Sequence, residues 1–351
     1  MTAIVEPYEL GLDPPLRTGR ETIETRCGLL FRAGSDPPGI GDSAPLQPFT
    51  ESFAASRRAL ERAAEAFERD GWQGALSVVS AATDGRLQFP AARHAVSLAH
   101  LDREARKAGV PLYRFLGGEP VDSVPVNATV GDGSPKATAT AAATAQANGF
   151  QTVKVKVGKK GVDRDLDRLR AVRDRVGDEI VLRADANGAW ELAEARSFLV
   201  EAEPLELAYL EQPLASEEGT AHAELRTMGT PIGLDESLTD AGVTRLLEAD
   251  AADVFVLKPM ALGGVDVARV LVAQIHQASA EAVVTSIFES VVGRTGAIHL
   301  AASLPDLPPG GLATGDRFVT DLGPDPAPVR NGSIVPPAVP GLGVAEVIGD
   351  G

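Results

Sequence analysis

Hydrophobic and polar positions follow two different periods along the first 120 residues. Residues 23–31 have the composition of an extended strand interrupted by one glycine, and the next stretch, Gly39-Ile-Gly-Asp-Ser-Ala-Pro, is typical of a turn-rich exit. Apolar residues then recur at helical spacing over 51–70 and again over 90–108, and each stretch is followed by a glycine that can cap a helix. The pattern predicts an antiparallel hairpin followed by helices.

From Val124 onward, short apolar runs alternate with amphipathic stretches of helical period. Eight runs at spacings of about 20 to 30 residues predict a (β/α)8-type barrel, an α/β fold. A doubly wound open sheet fits less well, because no glycine-rich phosphate loop follows the first run. We expect an N-terminal α+β capping domain over 1–120, completed by the tail 323–351, and a catalytic barrel over 121–322. The candidate strands are Val124–Val130, Thr152–Val157, Ile180–Asp185, Ala208–Glu211, Ile232–Asp235, Val254–Lys258, Ala282–Ser286 and Gly311–Thr314.

Ionisable residues stand at five successive candidate strand ends. In a barrel these ends open onto one face, where functional groups gather. Lysines 154 and 156 are two positions apart on a valine-rich strand, so both point to the same side, and a lysine in a barrel interior must be paired. Two solvated lysines on an edge strand are the alternative. The strand-end residues are Lys154 and Lys156, Asp185, Glu211, Asp235 and Lys258.

The carboxylates Asp185, Glu211 and Asp235 would converge from neighbouring strands. Like charges brought together repel unless a hard divalent cation neutralises them, and oxygen-only ligation suits Mg2+ or, as a substitute, Mn2+. A helix N-cap just past a strand is the alternative for any one of them, but it does not account for all three beside the lysines. The pattern predicts a Mg2+ site, with Asn187 and Glu236 supporting its ligands.

The composition narrows the range of partners. The chain has 33 Lys and Arg against 49 Asp and Glu, a formal net charge of -16, which argues against nucleic acid or an anionic membrane and favours a small molecule. No apolar run could span a bilayer and no signal segment is visible, so a cytoplasmic location is expected. The single cysteine, Cys27, excludes an internal disulfide and a zinc site of Cys and His. Seven lysines among 33 basic residues fit either adaptation to concentrated salt or a GC-rich genome.

Five motifs in chain order resemble the enolase superfamily in its muconate-lactonising branch: Lys-x-Lys at 154–156, Asp-Ala-Asn at 185–187, Glu-Gln-Pro at 211–213, Asp-Glu-Ser at 235–237 and Leu-Lys-Pro at 257–259. The resemblance extends to the segment from Gly39, where Asp42 replaces a usual Glu; we interpret this as a scaffold variation. The resemblance to the superfamily implies a Mg2+-dependent enzyme that removes a proton α to a carboxylate, with the metal held by the three strand-end carboxylates.

Within the branch, Thr285–Ser290 and Thr25–Leu29 resemble segments of the o-succinylbenzoate synthases. The resemblance implies that Lys156 removes the α-proton and then protonates the leaving hydroxyl, that Lys258 stabilises the enediolate from the opposite face, and that Lys154 hydrogen-bonds the substrate carboxylate. Further substrate contacts are expected from Ser286, Glu289, Thr314 and Arg20.

The function expected from this resemblance is dehydration of 2-succinyl-6-hydroxy-2,4-cyclohexadiene-1-carboxylate to 2-succinylbenzoate in menaquinone synthesis. N-succinylamino acid racemase is the main alternative, since two lysines on opposite faces are what a two-base proton transfer needs. Dipeptide epimerases fit less well, because they carry Asp-x-Asp where this chain has Leu312-Ala313-Thr314-Gly315. Muconate cycloisomerase and a barrel without catalytic activity are lesser alternatives, and the oligomeric state is left open.

Overall fold

The computed structural model describes residues 2–17, 22–83, 86–305 and 308–344. Its N-terminal part is a three-stranded antiparallel sheet, in the order β1-β2-β3, against which two long helices pack. The predicted antiparallel start followed by helices is therefore present. The elements are β1 Ala3–Arg17, β2 Thr22–Ala33, β3 Gly39–Ser43, α1 Phe53–Val79, β4 Ala82–Thr83, β5 Arg86–Leu87, α2 Pro90–Ala108 and α3 Leu112–Phe115.

Glycines in this region have roles that the sequence predicted only in part. Gly109 caps α2 in the left-handed conformation, as expected. Gly71, with φ of 64°, breaks α1 without ending it, and a further helical stretch continues beyond it. The segment from Gly39 is a strand and not a turn. A Cβ at Gly39 or Gly41 would lie 1.9 Å from a backbone carbonyl oxygen of α2, so these glycines permit close packing of strand on helix.

The barrel sheet confirms the predicted fold class. Within the described ranges, seven parallel strands pair in chain order. The eighth predicted strand is reduced to two bridges, in which Gly310 pairs with Val126 and Gly311 with Thr285, both in parallel. These bridges join the two edges of the sheet and close the barrel. The strands are β7 Ala128–Val130, β8 Thr152–Lys156, β9 Val181–Asp185, β10 Tyr209–Glu211, β11 Ile232–Leu234, β12 Val254–Leu257 and β13 Glu281–Val284, preceded by the short β6 Val124–Pro125.

The first predicted strand, Val124–Val130, is thus two strands with different partners. β6 pairs antiparallel with β15 Ser333–Ile334, which forms a hairpin with β14 Val329–Arg330. The strands of the tail therefore lie against the start of the barrel and not against the N-terminal sheet. The tail does contact the N-terminal part further on, where the Leu342 N–H donates to Asp102 of α2 over 2.7 Å.

Helices cover the outside of the barrel and bury its apolar residues. In the part of the chain that the structure describes, none of the helices combines the length and apolar character that a bilayer crossing requires. The helices are α4 Pro135–Ala147, α5 Val162–Val176, α6 Leu192–Ala202, α7 Ser237–Asp240, α8 Val243–Glu248, α9 Val265–Gln277 and α10 Val291–Ala302.

Candidate active site

The strand register brings the predicted carboxylates and lysines to one end of the barrel. Lys156 stands opposite Asp185 in the β8–β9 pair, and Asp185 opposite Glu211 in the β9–β10 pair. Asp235 directly follows β11 and Lys258 directly follows β12. Because parallel strands end on the same side of a sheet, residues that are distant in sequence become neighbours here.

Each of the six side chains takes part in a lysine–carboxylate contact, and the contacts form two groups. Lys154 Nζ lies 2.9 Å from Asp185 Oδ2 and 2.8 Å from Glu211 Oε1. Lys156 Nζ lies 2.6 Å from the same Asp185 oxygen, and Lys258 Nζ pairs with both oxygens of Asp235. The Asp185 and Glu211 side chains are fully buried, so the lysines are paired as interior lysines must be and the edge-strand alternative is excluded.

The pKa values of the three buried carboxylates are shifted in different directions. Burial raises the pKa of Glu211 to about 7, with the Asp185 charge adding to the effect. Burial likewise raises the pKa of Asp235 to about 6, although Lys258 opposes it. At Asp185 burial acts in the same direction, but Lys154 and Lys156 outweigh it and hold the pKa below its usual range.

A divalent cation fits this set of groups by donor type and position. Glu211 Oε2 is buried and has no hydrogen-bond partner among the described residues, and an orphaned carboxylate oxygen beside other carboxylates is a natural cation ligand. In their present positions the acidic side chains face lysines, and within the described ranges no three Asp, Glu, His or Cys side chains already surround one point. A cation would therefore compete with the lysine ammonium groups for these oxygens.

Asn187 and Glu236, predicted to support the metal ligands, lie next to this cluster. Asn187 Oδ1 accepts from Lys156 Nζ over 2.8 Å, and its Nδ2 donates to Glu236 Oε1 over 3.0 Å. Gln212 is a further buried residue to which the sequence reasoning gave no role. Its Oε1 accepts from the Asp235 backbone N–H over 3.0 Å, so the middle residue of Glu-Gln-Pro fixes the backbone that carries Asp235.

Phe49 is an aromatic residue of the site that the sequence reasoning missed. Its ring lies 4.0 Å from Lys258 Nζ, in a cation–π arrangement. Phe49 comes from the segment between β3 and α1, so the N-terminal part of the chain reaches over the mouth of the barrel. No pattern local to Phe49 could have indicated this contact.

The four residues expected to bind substrate fall into three situations. Ser286 Oγ and Thr314 Oγ1 lie 2.8 Å apart, beyond β13 and beyond the glycines that close the barrel. Glu289 is buried and accepts a hydrogen bond from the Ile287 backbone N–H, so its described contact is with its own segment and not with the lysine cluster. Arg20 lies outside the described residues.

Comparison with known proteins places this site in a family. The model of the family described as Enolase C-terminal domain-like matches residues 136–346, which include every lysine and carboxylate of the cluster. The chain is 29% identical to the L-Ala-D/L-Glu epimerase of Bacillus subtilis, over 95% of this chain and 93% of that protein. A structure of that epimerase with bound substrate covers 99% of this chain and 98% of its own, with a TM-score of 0.87 and 28% identity.

Relatives with other activities match about as well. The o-succinylbenzoate synthase of Thermobifida fusca is 39% identical over 58% of this chain and 64% of that protein. The N-succinylamino acid racemase of an Amycolatopsis species is 34% identical over 73% of this chain and 69% of that protein. A dipeptide epimerase from Cytophaga hutchinsonii, solved with Mg and a dipeptide, has a TM-score of 0.84 at 27% identity and covers 98% of this chain and 95% of its own. From the family match, the strand-end motifs and the barrel geometry together, this chain belongs to the enolase superfamily.

Proposed function

We propose that this chain is a Mg2+-dependent o-succinylbenzoate synthase. The observation that carries the proposal is the placement of Lys156 and Lys258 on different strands, each paired with a strand-end carboxylate, at one mouth of the barrel. Between such lysines a substrate carboxylate can present its α-proton to one and its opposite face to the other. Asp185, Glu211 and Asp235 would hold Mg2+, or Mn2+ in its place, which when bound supplies the positive charge that stabilises an enediolate.

In this proposal the lysines perform the proton transfers. Lys156 in its neutral form takes the α-proton of 2-succinyl-6-hydroxy-2,4-cyclohexadiene-1-carboxylate, and then returns a proton to the β-hydroxyl, which leaves as water. The ring becomes aromatic, which makes the elimination strongly favourable. Lys154 hydrogen-bonds the substrate carboxylate, while Lys258 remains a cation beside the enediolate.

The substrate assignment draws support from the polar residues opposite the metal ligands. Thr314 is hydrogen-bonded to Ser286 at the place where dipeptide epimerases carry an acidic pair, so a substrate without a free ammonium group is favoured. We propose that Ser286, Thr314 and Arg20 contact the succinyl group. The identity to the Thermobifida fusca synthase agrees with this choice.

N-succinylamino acid racemase is a second candidate. Proton removal by one lysine and delivery by the other would racemise an N-succinylamino acid, and the same pair of lysines serves both reactions. The match to the Amycolatopsis racemase covers more of this chain than the match to the Thermobifida fusca synthase. Both candidates begin by removing an α-proton to give an enediolate, but from different substrates. The enediolate of the cyclohexadiene then loses its β-hydroxyl, whereas that of the N-succinylamino acid regains a proton at the same carbon.

Three accompanying proposals concern the setting of the reaction. The partner is a small-molecule carboxylate and not nucleic acid. The enzyme is cytoplasmic. The N-terminal unit 1–120 forms a capping domain on a catalytic barrel of residues 121–322, and the tail 323–351 completes it through contacts such as that of Leu342 with Asp102, although the strands of the tail pair with the start of the barrel.

Two assays of the purified protein test the function. We expect rapid loss of the diene absorbance with Mg2+, and none with a chelator, together with slow deuterium exchange at the α-carbon of N-succinylamino acids. Lys156→Ala should lower dehydration by at least about a hundredfold, whereas Lys159→Ala, which removes an exposed lysine of the next turn, should not. Rapid exchange with little dehydration would move the assignment to the racemase. A folded protein that shows neither reaction would contradict both.

A further inference from the structure

A buried ion pair on α5 lies directly behind the lysine strand. Arg168 Nη1 is 2.8 Å from Asp165 Oδ1, and the two side chains are 1% and 0% exposed. An ion pair taken out of water contributes little stability on balance, because desolvation offsets the attraction. Its other contacts therefore indicate what the pair does.

Arg168 joins three elements that surround the end of β8. Its Nη1 also donates to the Lys156 carbonyl oxygen over 2.8 Å, and its Nη2 donates to the Gly131 carbonyl oxygen over 2.6 Å. Its Nε donates to Thr138 Oγ1 of α4 over 3.2 Å. The rigid, planar guanidinium thus fixes the relative positions of the strand ends of β7 and β8.

The sheet itself provides no hydrogen-bond donor for the Lys156 carbonyl oxygen. The pairing of β7 with β8 ends at Val130 opposite Val155, so the Lys156 carbonyl has no further strand on the β7 side. A buried carbonyl without a partner is destabilising, and Arg168 provides the missing donor. On the other side, the Val157 N–H donates to the Asp185 carbonyl over 2.8 Å, so β9 holds that edge.

Asp165 fastens the backbone just past the lysine. Its Oδ2 accepts from the Gly158 N–H over 2.7 Å. Gly158 has φ of 92°, and a Cβ there would lie 2.6 Å from Ala189 Cβ, so this turn has one tight conformation. The ion pair therefore holds the chain at the residue that carries the ammonium group and again two residues later.

We infer that Arg168, together with Asp165, is a positioning residue for Lys156, setting the place from which its side chain reaches the substrate. The inference rests on the base role proposed for Lys156. Proton transfer requires close approach in one geometry, and a displacement of about 1 Å can slow a reaction about a hundredfold. Without the pair, the end of β8 is held by β9 alone.

Arg173 offers a matched control on the same helix. It donates hydrogen bonds to three backbone carbonyls, those of Gly177, Ile180 and Leu205, each over 2.8 Å, where Arg168 donates to two. Ile180 directly precedes β9, so these contacts lie at the opposite end of the barrel from Lys156. Arg168→Met and Arg173→Met therefore remove similar bonds at different distances from the site.

We expect Arg168→Met to lower kcat about 10- to 100-fold with KM changed less than about threefold, and Arg173→Met to leave kcat within about twofold. Arg168→Met should also lower the melting temperature more, because it leaves the buried Asp165 without its partner. Arg168→Lys, which keeps the positive charge but not the planar guanidinium with its several donors, should recover part of kcat. If Arg168→Met does not fold, the kcat values of Arg168→Lys and Asp165→Asn are compared with that of Arg173→Met instead. Equal kcat losses at positions 168 and 173 in folded proteins would overturn the inference.

Amide hydrogen exchange separates failure of this inference from failure of the proposed function. Peptides spanning 152–161 should exchange faster than in wild type in Arg168→Met and at the wild-type rate in Arg173→Met, whatever the substrate is. If wild-type protein catalyses neither reaction while this local difference is present, the proposed function is wrong and the restraint on β8 stands. If exchange over 152–161 does not change, the restraint itself is wrong.

Discussion

Replacement of Glu289 by Gln is expected to stabilise the protein at pH 8 relative to wild type and to have little effect at pH 5. Burial, reinforced by the neighbouring charge of Asp42, raises the pKa of Glu289 to about 7, from an ordinary value of 4.5. The folded chain therefore keeps a proton that the unfolded chain releases as the pH rises from about 4.5 to 7. Unfolding becomes more favourable across that interval, and the loss of stability is complete above it.

The size of the effect follows from the same two values. At about 1.4 kcal/mol for each pH unit between the folded and unfolded pKa values, the loss of stability reaches about 3.5 kcal/mol. This is a ceiling for the interval from pH 5 to 8, because the carboxyl of the unfolded chain is already partly ionised at pH 5. We expect about 2 kcal/mol of the pH dependence to disappear in the variant.

Urea unfolding at pH 5, 6, 7 and 8 measures this difference directly by linear extrapolation. Glu65→Gln, at an exposed position of α1, is the control and should follow wild type at every pH. The reasoning is refuted if the stability difference between Glu289→Gln and wild type is the same at pH 5 and pH 8. A tenfold rise in KM for the variant would favour the expected role of Glu289 in substrate binding.

Three further predictions concern packing, the site and salt. Gly41→Ala should lower the free energy of unfolding by about 3 kcal/mol or more in urea titration, because the new Cβ would meet the Ala95 carbonyl oxygen at 1.9 Å; an unchanged midpoint would mean that β3 and α2 separate easily. Phe49→Ala should lower kcat/KM about 2- to 30-fold while Phe49→Tyr retains it, since the aromatic face over Lys258 is lost only in the first; equal losses would remove the role of the ring face. With a net charge of -16, the melting temperature should rise between about 0.1 and 3 M salt, and a constant value would count against adaptation to concentrated salt.

The sequence alone determined the order of most elements and which lysines and carboxylates stand at the strand ends. Each barrel strand is a short apolar run, which is a local property, and the residue at its end or directly after it faces the barrel mouth. Lys156, Asp185 and Glu211 could thus be placed on one face by a rule about parallel strands. Their contacts follow from register and require no detail of packing.

Tertiary structure decided what depends on segments far apart in the chain. The eighth strand is reduced to two bridges, from Gly310 to Val126 and from Gly311 to Thr285. The direction taken by Glu289 depends on the backbone around Ile287, and the contact of Phe49 with Lys258 depends on how the N-terminal part rests on the barrel. In the sequence, Arg168 cannot be told from the other charged residues of an amphipathic helix. Only the structure shows that it is buried, at the point where the pairing of β7 with β8 ends. Such contacts arise from packing between elements, which no local pattern of residues encodes.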